Sequence, residues 1–521
     1  MRFPPAFLLF VSLLMPTLLA AALTPGALFG PYAVLQRDRS VSVWGTADSG
    51  ERVVVTFSFK QGVVRATDTA DEAGRWRVML GKLPEGAAGE LIFETEKGER
   101  RVSPDVSVGD VWLCGGQSNM EWTVRKSAGA AEAIAEADLP QIRQFRVRPA
   151  ISDEPLSEPK DGKWVVCSPK TVGEFTALGF FVARDLFRGS GVPQGLINCS
   201  WGGTAIETWL SGNAYASGAR PELSVVKARW EKRRANYPAA KLAYDQAKAA
   251  FEEEKRAAEA AGASFTKRPP RAPSGGPQDR AVPSRAFNAM LNPLAGYGVR
   301  AALWYQGEAN WQFPREYAGL FAALIEDWRQ AWGSPELPFV FMQLPGFGGD
   351  GTVCWPILRE GQAAALSLPA TSLVVTCDLG EPKEIHPANK AEFADRMAKV
   401  IQRDVFGESV VASGPVIRSA RRDGEVMRVK LAGVGEGDLT PVLRSLAPKP
   451  GAFELAGEDR KFHPAAATLV ADGREVIVRS SLVRAPVALR YAWRDFPSPV
   501  LFNKAGLPAA PFRTDDWLDK R

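Results

Sequence analysis

The spacing of hydrophobic residues changes along the chain and divides it into regions of different predicted structure. Between about residues 23 and 107, short β-branched and apolar runs such as Arg52-Val53-Val54-Val55-Thr56-Phe57 are separated by Gly- and Asp-rich turns. Short apolar runs bounded by such turns are typical of strands in an all-β unit. The pattern therefore predicts an N-terminal β-sandwich.

From residue 108 to about residue 410, strand-like segments alternate with helix-like ones. The predicted strands are Asp110–Cys114, Gly195–Cys199, Val299–Tyr305, Phe339–Gln343 and Ser372–Cys377. The predicted helices, whose apolar residues recur at helical spacing, are Thr176–Arg188, Arg315–Trp332 and Ala388–Val405. Strands that alternate with helices predict an α/β domain with a mostly parallel sheet covered on both faces.

An insertion of about residues 211–283 interrupts this α/β region. Its aromatic residues recur every seven positions among Lys, Glu and Ala, namely Trp230, Tyr237, Tyr244 and Phe251. The spacing predicts a helical hairpin or arm, in which Pro238 begins the second helix because proline is favoured at the first helical position. We interpret the insertion as a solvated helix packed by its aromatic stripe, with substrate gating as the alternative.

After about residue 411 the strand pattern returns and continues to residue 521. The segments with this pattern are Val426–Lys430, Ala467–Val470, Glu475–Arg479 and Val487–Tyr491. They predict a C-terminal β-rich, sandwich-like domain. The chain of 521 residues is thus predicted to contain three domains.

The composition narrows the class of protein. Hydrophobic residues make up 45% of the chain and charged residues 24%, which excludes disordered and fibrous proteins. The net charge of +5 is spread over many side chains, without a basic stripe that carries interleaved aromatic residues. The charge therefore gives no argument for nucleic acid as a partner.

The first 22 residues resemble a signal peptide. Arg2 provides the positive end, Ala6–Leu19 is largely apolar, and Ala20-Ala21-Ala22 offers small residues for cleavage. An uncleaved anchor is the alternative, and no later segment is long and apolar enough to cross a bilayer. We expect a secreted or periplasmic protein without stable membrane insertion.

The five cysteines leave two interpretations open. They can be buried free thiols or form one or two disulfide bridges, with at least one unpaired in a monomer. Their spacing does not resemble a zinc site, and a chain with two histidines has little material for a His-based metal centre. We predict no metal and no organic cofactor.

Ser118 is the first candidate for chemistry. An apolar strand ends in Gly115-Gly116, and Gln117-Ser118 follows where a helix is predicted to begin. This position lies at the carboxyl edge of a parallel sheet, where α/β folds bind ligands, and a helix N-terminus favours developing negative charge. A serine at this place can also be a helix cap.

His386 is the candidate base for Ser118, because the chain's other histidine, His463, lies in the C-terminal β region. His386 follows the predicted strand Ser372–Cys377, so its loop should reach the same sheet edge as Ser118. A carboxylate would hold the imidazole tautomer. The acids of this loop, Asp378, Glu381 and Glu384, compete for that role.

Two other strand ends offer donors for a developing oxyanion. Ser200-Trp201-Gly202-Gly203-Thr204 can supply a glycine N–H, and Trp304-Tyr305-Gln306-Gly307-Glu308 can supply the Gln306 amide. Either segment alone would be read as an ordinary turn. Four such segments at predicted strand ends favour a common site.

These blocks resemble the sialate O-acetylesterase family of the SGNH hydrolase superfamily. Gly116-Gln117-Ser118-Asn119-Met120 is similar to its nucleophile block, the Gly202-Gly203 segment to its glycine block, and Ile385-His386-Pro387 to its histidine block. The Gln306 segment is similar to the third block, with Gln in place of the superfamily's usual Asn. The resemblance also includes Val34-Leu35-Gln36-Arg37, Arg490-Tyr491-Ala492-Trp493 and Pro511-Phe512-Arg513-Thr514-Asp515, and so extends over nearly the whole chain after residue 22.

The resemblance implies a flavodoxin-like core and a serine esterase that removes O-acetyl groups from sugars. It implies Ser118 as nucleophile, His386 as base, and Gly203 and Gln306 as oxyanion donors beside the Ser118 N–H. The superfamily often has Asp three residues before the histidine, where this chain has Lys383. We take Asp378 as the first choice for the acid and Glu384 as the second, and a dyad with a backbone carbonyl remains open.

Alternative functions stay open at the level of the sequence. The substrate is expected to be an O-acetylated sugar or glycan, either sialic acid or a polysaccharide such as acetylated xylan. A non-catalytic glycan-binding protein is the alternative from another class, because the two β domains have no assigned role. An esterase for non-sugar acyl groups would use the same catalytic residues.

Overall fold

The computed structural model describes residues 22–348, 354–470 and 472–517 and has a mixed α/β fold. Its N-terminal part consists of strands, as the short apolar runs predict. They are β1 (Thr24–Pro25), β2 (Val34–Gln36), β3 (Ser40–Thr46), β4 (Arg52–Phe59), β5 (Gly62–Thr69), β6 (Arg75–Lys82), β7 (Ala88–Thr95) and β8 (Arg100–Gly116). One antiparallel sheet contains β1, β3 and β6, and β4 pairs with β5 and β7 in another.

Strand β8 connects the N-terminal strands to the central sheet. Its first half pairs with β7 in the antiparallel sense, and its second half lies in the central parallel sheet. The predicted domain boundary between residues 107 and 108 falls inside this 17-residue strand, and one hydrophobic core extends across it. No linker separates the two parts at that point.

The central sheet adds β9 (Ile142–Arg146), β10 (Trp164–Val166), β11 (Gln194–Ser200), β12 (Ala301–Tyr305), β13 (Phe339–Met342) and β14 (Thr371–Val374). The strands lie in the order β10-β9-β11-β8-β12-β13-β14, and every pairing on this path except that of β10 with β9 is parallel. The five predicted strands are confirmed. They lie in the order second, first, third, fourth and fifth, and β9 and β10, which were not predicted, extend the sheet beyond the second of them.

The helices are α1 (Ser118–Glu121), α2 (Ala130–Ala135), α3 (Ala177–Ser190), α4 (Gly212–Ser217), α5 (Pro221–Ala260), α6 (Tyr317–Ala331), α7 (Trp355–Ala364) and α8 (Lys390–Asp404). The three helices predicted in the α/β region correspond to α3, α6 and α8 and are confirmed within two residues at their ends. Helix α3 begins after Thr176, whose side chain caps it, and ends at Gly191 in the left-handed region.

The insertion contains the short helix α4 and one long helix, α5, so of the two predicted forms the arm is observed and the hairpin is wrong. Helix α5 has 40 residues and contains Pro238 in its interior. Proline removes one helical hydrogen bond, but Pro238 is exposed, where water can satisfy the freed carbonyl group. Trp230 and Phe251 are buried, whereas Tyr237 and Tyr244 are half-buried. The aromatic stripe therefore packs a continuous helix.

The C-terminal part is formed by β15 (Val416–Asp423), β16 (Val426–Ala432), β17 (Pro441–Leu443), β18 (Phe453–Ala456), β19 (Phe462–Pro464), β20 (Ala466–Val470), β21 (Glu475–Arg479), β22 (Ala488–Tyr491), β23 (Leu501–Asn503) and β24 (Phe512–Arg513). It contains two four-stranded antiparallel sheets and one two-stranded sheet, with a hydrophobic core of their own. Buried Arg359 of α7 donates to the backbone carbonyls of Arg494 and Asp495, which attaches this part to the central domain.

All five cysteines lie in the described ranges and are free, so the disulfide alternative is wrong. Four are buried, and Cys354 is half-buried. The predicted signal peptide lies, apart from Ala22, outside the described residues. Among the helices that are described, none has the combined length and apolar character of a membrane span.

Candidate active site

The turn after β8 depends on glycine. Gly116 has a φ of +135°, and a Cβ atom at this position would lie 2.1 Å from the carbonyl oxygen of Tyr305 on β12. The chain can therefore bend against the neighbouring strand only without a side chain. The N–H of Gln117 then donates to the Tyr305 carbonyl at 3.1 Å, and Ser118 begins α1. This places Ser118, half-exposed, at the carboxyl edge of the sheet.

His386 meets Ser118 at this edge. The two residues are 268 positions apart, and His386 Nε2 lies 2.9 Å from Ser118 Oγ. His386 follows β14, so the carboxyl ends of two parallel strands of one sheet deliver the pair. The contact has the distance of a hydrogen bond between a nucleophile and its general base.

The other ring nitrogen of the imidazole contacts Glu384. Nδ1 of His386 lies 3.2 Å from Glu384 Oε1, and the same oxygen accepts the His386 backbone N–H at 2.8 Å. The Trp122 ring stacks on the imidazole with a centroid distance of 5.2 Å. Burial lowers the pKa of His386 below its ordinary value, although Glu384 opposes this shift. The imidazole is therefore neutral at neutral pH and can accept a proton from Ser118.

The structure does not bring Asp378 to the imidazole, which corrects our first choice for the acid. Both Asp378 carboxylate oxygens accept from the Arg396 guanidinium of α8, at 2.7 and 2.8 Å. The side chains of this pair are largely buried. Asp378 therefore joins the end of β14 to α8, and the acid in contact with His386 is our second choice, Glu384.

The glycine block lies directly against Ser118. A Cβ atom on Gly202 would lie 3.3 Å from Ser118 Cβ, and the Gly202 N–H donates to Glu121 Oε2 of α1 at 2.7 Å. Gly203 is exposed and has a φ of +71°. Within the described residues, the backbone N–H groups of Ser118 and Gly203 have no protein acceptor. Both N–H groups are thus free to donate to a ligand.

Gln306 takes a different place from the one expected. It is fully buried, and its amide Nε2 faces Asn310 Oδ1 at 2.7 Å, Gln117 Oε1 at 3.2 Å and the Thr204 carbonyl at 3.3 Å. Its Oε1 accepts from the Tyr317 hydroxyl at 2.9 Å. The two amide hydrogens therefore have internal acceptors, and the geometry does not support the predicted role as an oxyanion donor.

A buried polar network behind the imidazole escaped the sequence analysis. Asn119 donates to the Ile385 carbonyl at 3.0 Å and to Glu308 Oε1 at 2.6 Å. Lys390, the first residue of α8, donates to Asn119 Oδ1 and to the Pro387 carbonyl, both at 2.7 Å. Burial lowers the pKa of Lys390 to about 7 and raises that of Glu308. The carbonyls on both sides of His386 are thus fixed by buried donors.

This network could be predicted only in part from the sequence. Asn119 and Glu308 lie inside the blocks that the sequence analysis singled out, but nothing in their spacing showed that they meet. Lys390 begins a helix, where a lysine is ordinarily exposed, and its burial could not be predicted from its neighbours.

The remaining candidates do not join the site. His463 lies on β19 opposite Leu455 of β18, in the C-terminal part. Across the described ranges, no group of three or more His, Cys, Asp and Glu side chains is arranged to hold a metal ion.

The chain is similar to known carbohydrate esterases. A family model described as a carbohydrate esterase, sialic acid-specific acetylesterase, matches residues 108–228 and 279–403. The sialate O-acetylesterase of Rattus norvegicus is 28% identical over 536 residues, covering 92% of each chain. That of Homo sapiens is 27% identical over 528 residues, covering 92% of this chain and 90% of the relative. A solved structure of a carbohydrate acetylesterase from Xanthomonas citri is 34% identical with a TM-score of 0.77, covering 95% of this chain and 100% of the other.

The hydroxyl, the imidazole and the carboxylate at the sheet edge lie in the order of the Ser-His-acid template. The match over essentially the full length of a solved carbohydrate acetylesterase places the chain in the class of carbohydrate esterases. Within that class, the chain belongs to the sialic acid-specific acetylesterase family.

Proposed function

We propose that this chain removes O-acetyl groups from carbohydrates, with Ser118 as nucleophile and His386 as general base. The observation that carries the proposal is the 2.9 Å contact between His386 Nε2 and Ser118 Oγ. The names of the curated relatives and of the Xanthomonas citri structure support the substrate chemistry. The roles of the individual residues rest on the geometry of the site.

In the first half of the reaction, His386 Nε2 takes the Ser118 proton while Oγ attacks the acetyl carbonyl carbon. The carbonyl oxygen becomes an oxyanion, which accepts hydrogen bonds from the backbone N–H groups of Ser118 and Gly203. Glu384 holds the Nδ1 proton and stabilises the imidazolium. The carbon–oxygen bond to the sugar then breaks, and His386 gives the proton to the leaving sugar oxygen, which becomes a hydroxyl group.

In the second half, water hydrolyses the acetyl-Ser118 intermediate. His386 takes a proton from the water, whose oxygen attacks the acetyl carbon at the same oxyanion site. The bond to Ser118 Oγ breaks, Oγ regains its proton from His386, and acetate leaves. The chain's own residues supply each proton transfer in this scheme.

For the substrate, we propose O-acetylated sialic acid, with acetylated xylan or another polysaccharide as the alternative. The matching family model and the curated relatives support the first. We assign the core to the SGNH hydrolase type, supported by its strand order and by the arrangement of the four blocks. We also propose that residues 1–22 export the protein to the periplasm or the medium.

Acetate release from a panel of O-acetylated glycans, with 4-nitrophenyl acetate as a general ester, tests the proposal. We expect Ser118→Ala and His386→Ala to reduce kcat by at least about a thousand-fold, as loss of a nucleophile or its base does. His463→Ala is the matched control, because it removes the other histidine, and it should retain wild-type turnover. Wild-type turnover in both site variants would refute the mechanism. Saturable glycan binding without acetate release would indicate a glycan-binding protein instead.

A further inference from the structure

Arg280 lies beside the glycine block, in the segment of the insertion that follows α5. Its guanidinium carbon is 5.4 Å from the centroid of the Trp201 ring. A Cβ atom on Gly203 would lie 2.7 Å from Arg280 Nη2, so the guanidinium occupies space that any side chain at position 203 would need. The neighbouring Gly202 packs against Ser118. Gly203 therefore lies between Arg280 and Gly202, and Gly202 is the residue that packs against the nucleophile.

The segment that carries Arg280 is fixed from both sides. Asp279 accepts the backbone N–H groups of Gly275 and Ala281 at 2.8 and 2.9 Å. Buried Arg285 donates to the carbonyls of Gly276, Pro277 and Asp279 at 2.9 to 3.3 Å. These contacts hold the backbone while leaving the Arg280 side chain exposed. The guanidinium is thus presented to solvent from a rigid support.

Arg280 differs from the arginines that have structural roles. Arg285, Arg229 and Arg396 each form an ion pair with a carboxylate. In the part of the chain that is described, no carboxylate lies within ion-pair distance of Arg280, and its guanidinium makes no hydrogen bond. Its guanidinium lies over the Trp201 ring, and its N–H groups are left for a ligand. A guanidinium edge matches a carboxylate in geometry and charge.

A second cation, Lys126, lies over the tryptophan ring that stacks on the imidazole. Lys126 Nζ is 5.5 Å from the centroid of the Trp122 ring, and Trp122 stacks on His386. On the same rim, the Glu121 carboxylate accepts the Gly202 N–H and lies 3.7 Å from Arg146. Arg280 and Lys126 are therefore the cations of this rim, and the carboxylates of Glu121 and Glu384 are already engaged by hydrogen bonds.

We propose that Arg280 binds a carboxylate of the sugar substrate while the acetyl ester lies at Ser118. This rests on the proposed function and deepens it, since it selects sugar acids over neutral sugars. The insertion then contributes a specificity-determining residue, and the absence of a side chain at Gly203 provides the space for it.

Binding of deacetylated ligands tests the proposal without turnover. Dissociation constants are measured by calorimetry for sialic acid, its methyl ester and glucuronic acid. We expect Arg280→Ala to weaken binding of sialic acid roughly five- to ten-fold, as for a charge-assisted contact at an exposed site, and Arg280→Lys to restore part of it. The methyl ester should bind the wild type about as weakly as sialic acid binds Arg280→Ala. Glucuronic acid shows whether the subsite accepts a carboxylate on any pyranose or only that of sialic acid.

Arg233→Ala is the matched control. Like Arg280, Arg233 lies over a tryptophan ring, with its guanidinium carbon 4.7 Å from the centroid of the Trp230 ring. This variant removes the same charge and should leave all three dissociation constants within two-fold of wild type. Equal binding of sialic acid and its methyl ester by the wild type, no saturable binding of sialic acid, or an equal loss for both ligands in Arg280→Ala would overturn the proposal. Acetate release from acid and ester alike would leave the proposed function standing while the subsite fails. Binding that depends on the carboxylate, without acetate release, would support the subsite and refute the proposed function.

Discussion

Lys390 Nζ lies 2.7 Å from Asn119 Oδ1, which joins the residue after Ser118 to the first residue of α8. The same ammonium donates to the Pro387 carbonyl, and Asn119 donates to the Ile385 carbonyl. The backbone on either side of His386 is therefore attached to the turn that carries the nucleophile. Because these donors are buried, the geometry of the Ser118–His386 pair depends on them.

Lys390→Met should destabilise the protein, by an amount that grows as the pH rises from 7 to 9. The variant leaves Asn119 Oδ1 and the Pro387 carbonyl without this donor, which costs about 1–3 kcal/mol. The pKa of Lys390 is lowered to about 7, so between that pH and its ordinary value of 10.5 the unfolded chain binds a proton that the folded chain does not. Stability from this group therefore rises with pH in that window, and only the wild type gains it.

Urea unfolding of wild type and Lys390→Met at pH 7 and 9 measures this difference. Effects of titrating groups that do not interact with Lys390 cancel to first order when the two proteins are compared at each pH. Lys399→Met on the same helix is the control, since its ammonium is partly exposed and pairs with Asp395. A difference between wild type and Lys390→Met that is constant or shrinks towards pH 9 would contradict the depressed pKa.

Glu384→Gln should lower kcat/KM by about ten-fold and move the acid limb of its pH profile to lower pH. The carboxylate raises the pKa of His386 against the effect of burial, so its removal makes the imidazole still less basic. The loss is moderate because Glu384 is half-exposed and water can replace part of its effect. A pH profile of 4-nitrophenyl acetate hydrolysis measures both quantities, and an unchanged limb with unchanged rate would remove Glu384 from the mechanism.

Asp378→Asn should act on stability instead of catalysis. It breaks the pair with Arg396, and loss of one partner of a largely buried pair costs roughly 3 kcal/mol. Thermal unfolding should show a lower Tm, while kcat/KM per folded molecule falls much less than in Glu384→Gln. A large fall in kcat at unchanged Tm would return the acid's role to Asp378.

Gln306→Ala separates a scaffold role from an oxyanion role. The amide connects Gln117, Asn310 and the Thr204 carbonyl, so the variant should lose stability and kcat together. An oxyanion donor would instead show a loss of kcat with wild-type Tm. Parallel measurement of Tm and kcat therefore decides between the two.

The sequence predicted the features that depend on local pattern and on scarce residue types. Apolar runs predict the strands that precede Ser118, Gly203 and His386, and the scarcity of histidine in the sequence singles out His386. The structure brings these residues together because parallel strands end at one edge of the sheet. The resemblance to a known family supplied the blocks' order, and the comparisons confirm the family.

The sequence could not rank the acids or find the buried network, because both depend on which partners meet in three dimensions. The position of Asp378 after a strand favours it as the acid. In the structure, however, its carboxylate is paired with the guanidinium of Arg396 on α8. The prediction of a hairpin in the insertion is wrong for a related reason. Pro238 is a strong local stop signal, and packing along α5 outweighs it.

Reaction with a fluorophosphonate, located by peptide mass spectrometry, tests the central claim most directly. The reagent reports whether the Ser118 hydroxyl is activated, and it needs no knowledge of the natural substrate. We predict stoichiometric labelling at Ser118 that is lost in His386→Ala and retained in His463→Ala. Labelling at another residue, or wild-type labelling rate in His386→Ala, would contradict the account.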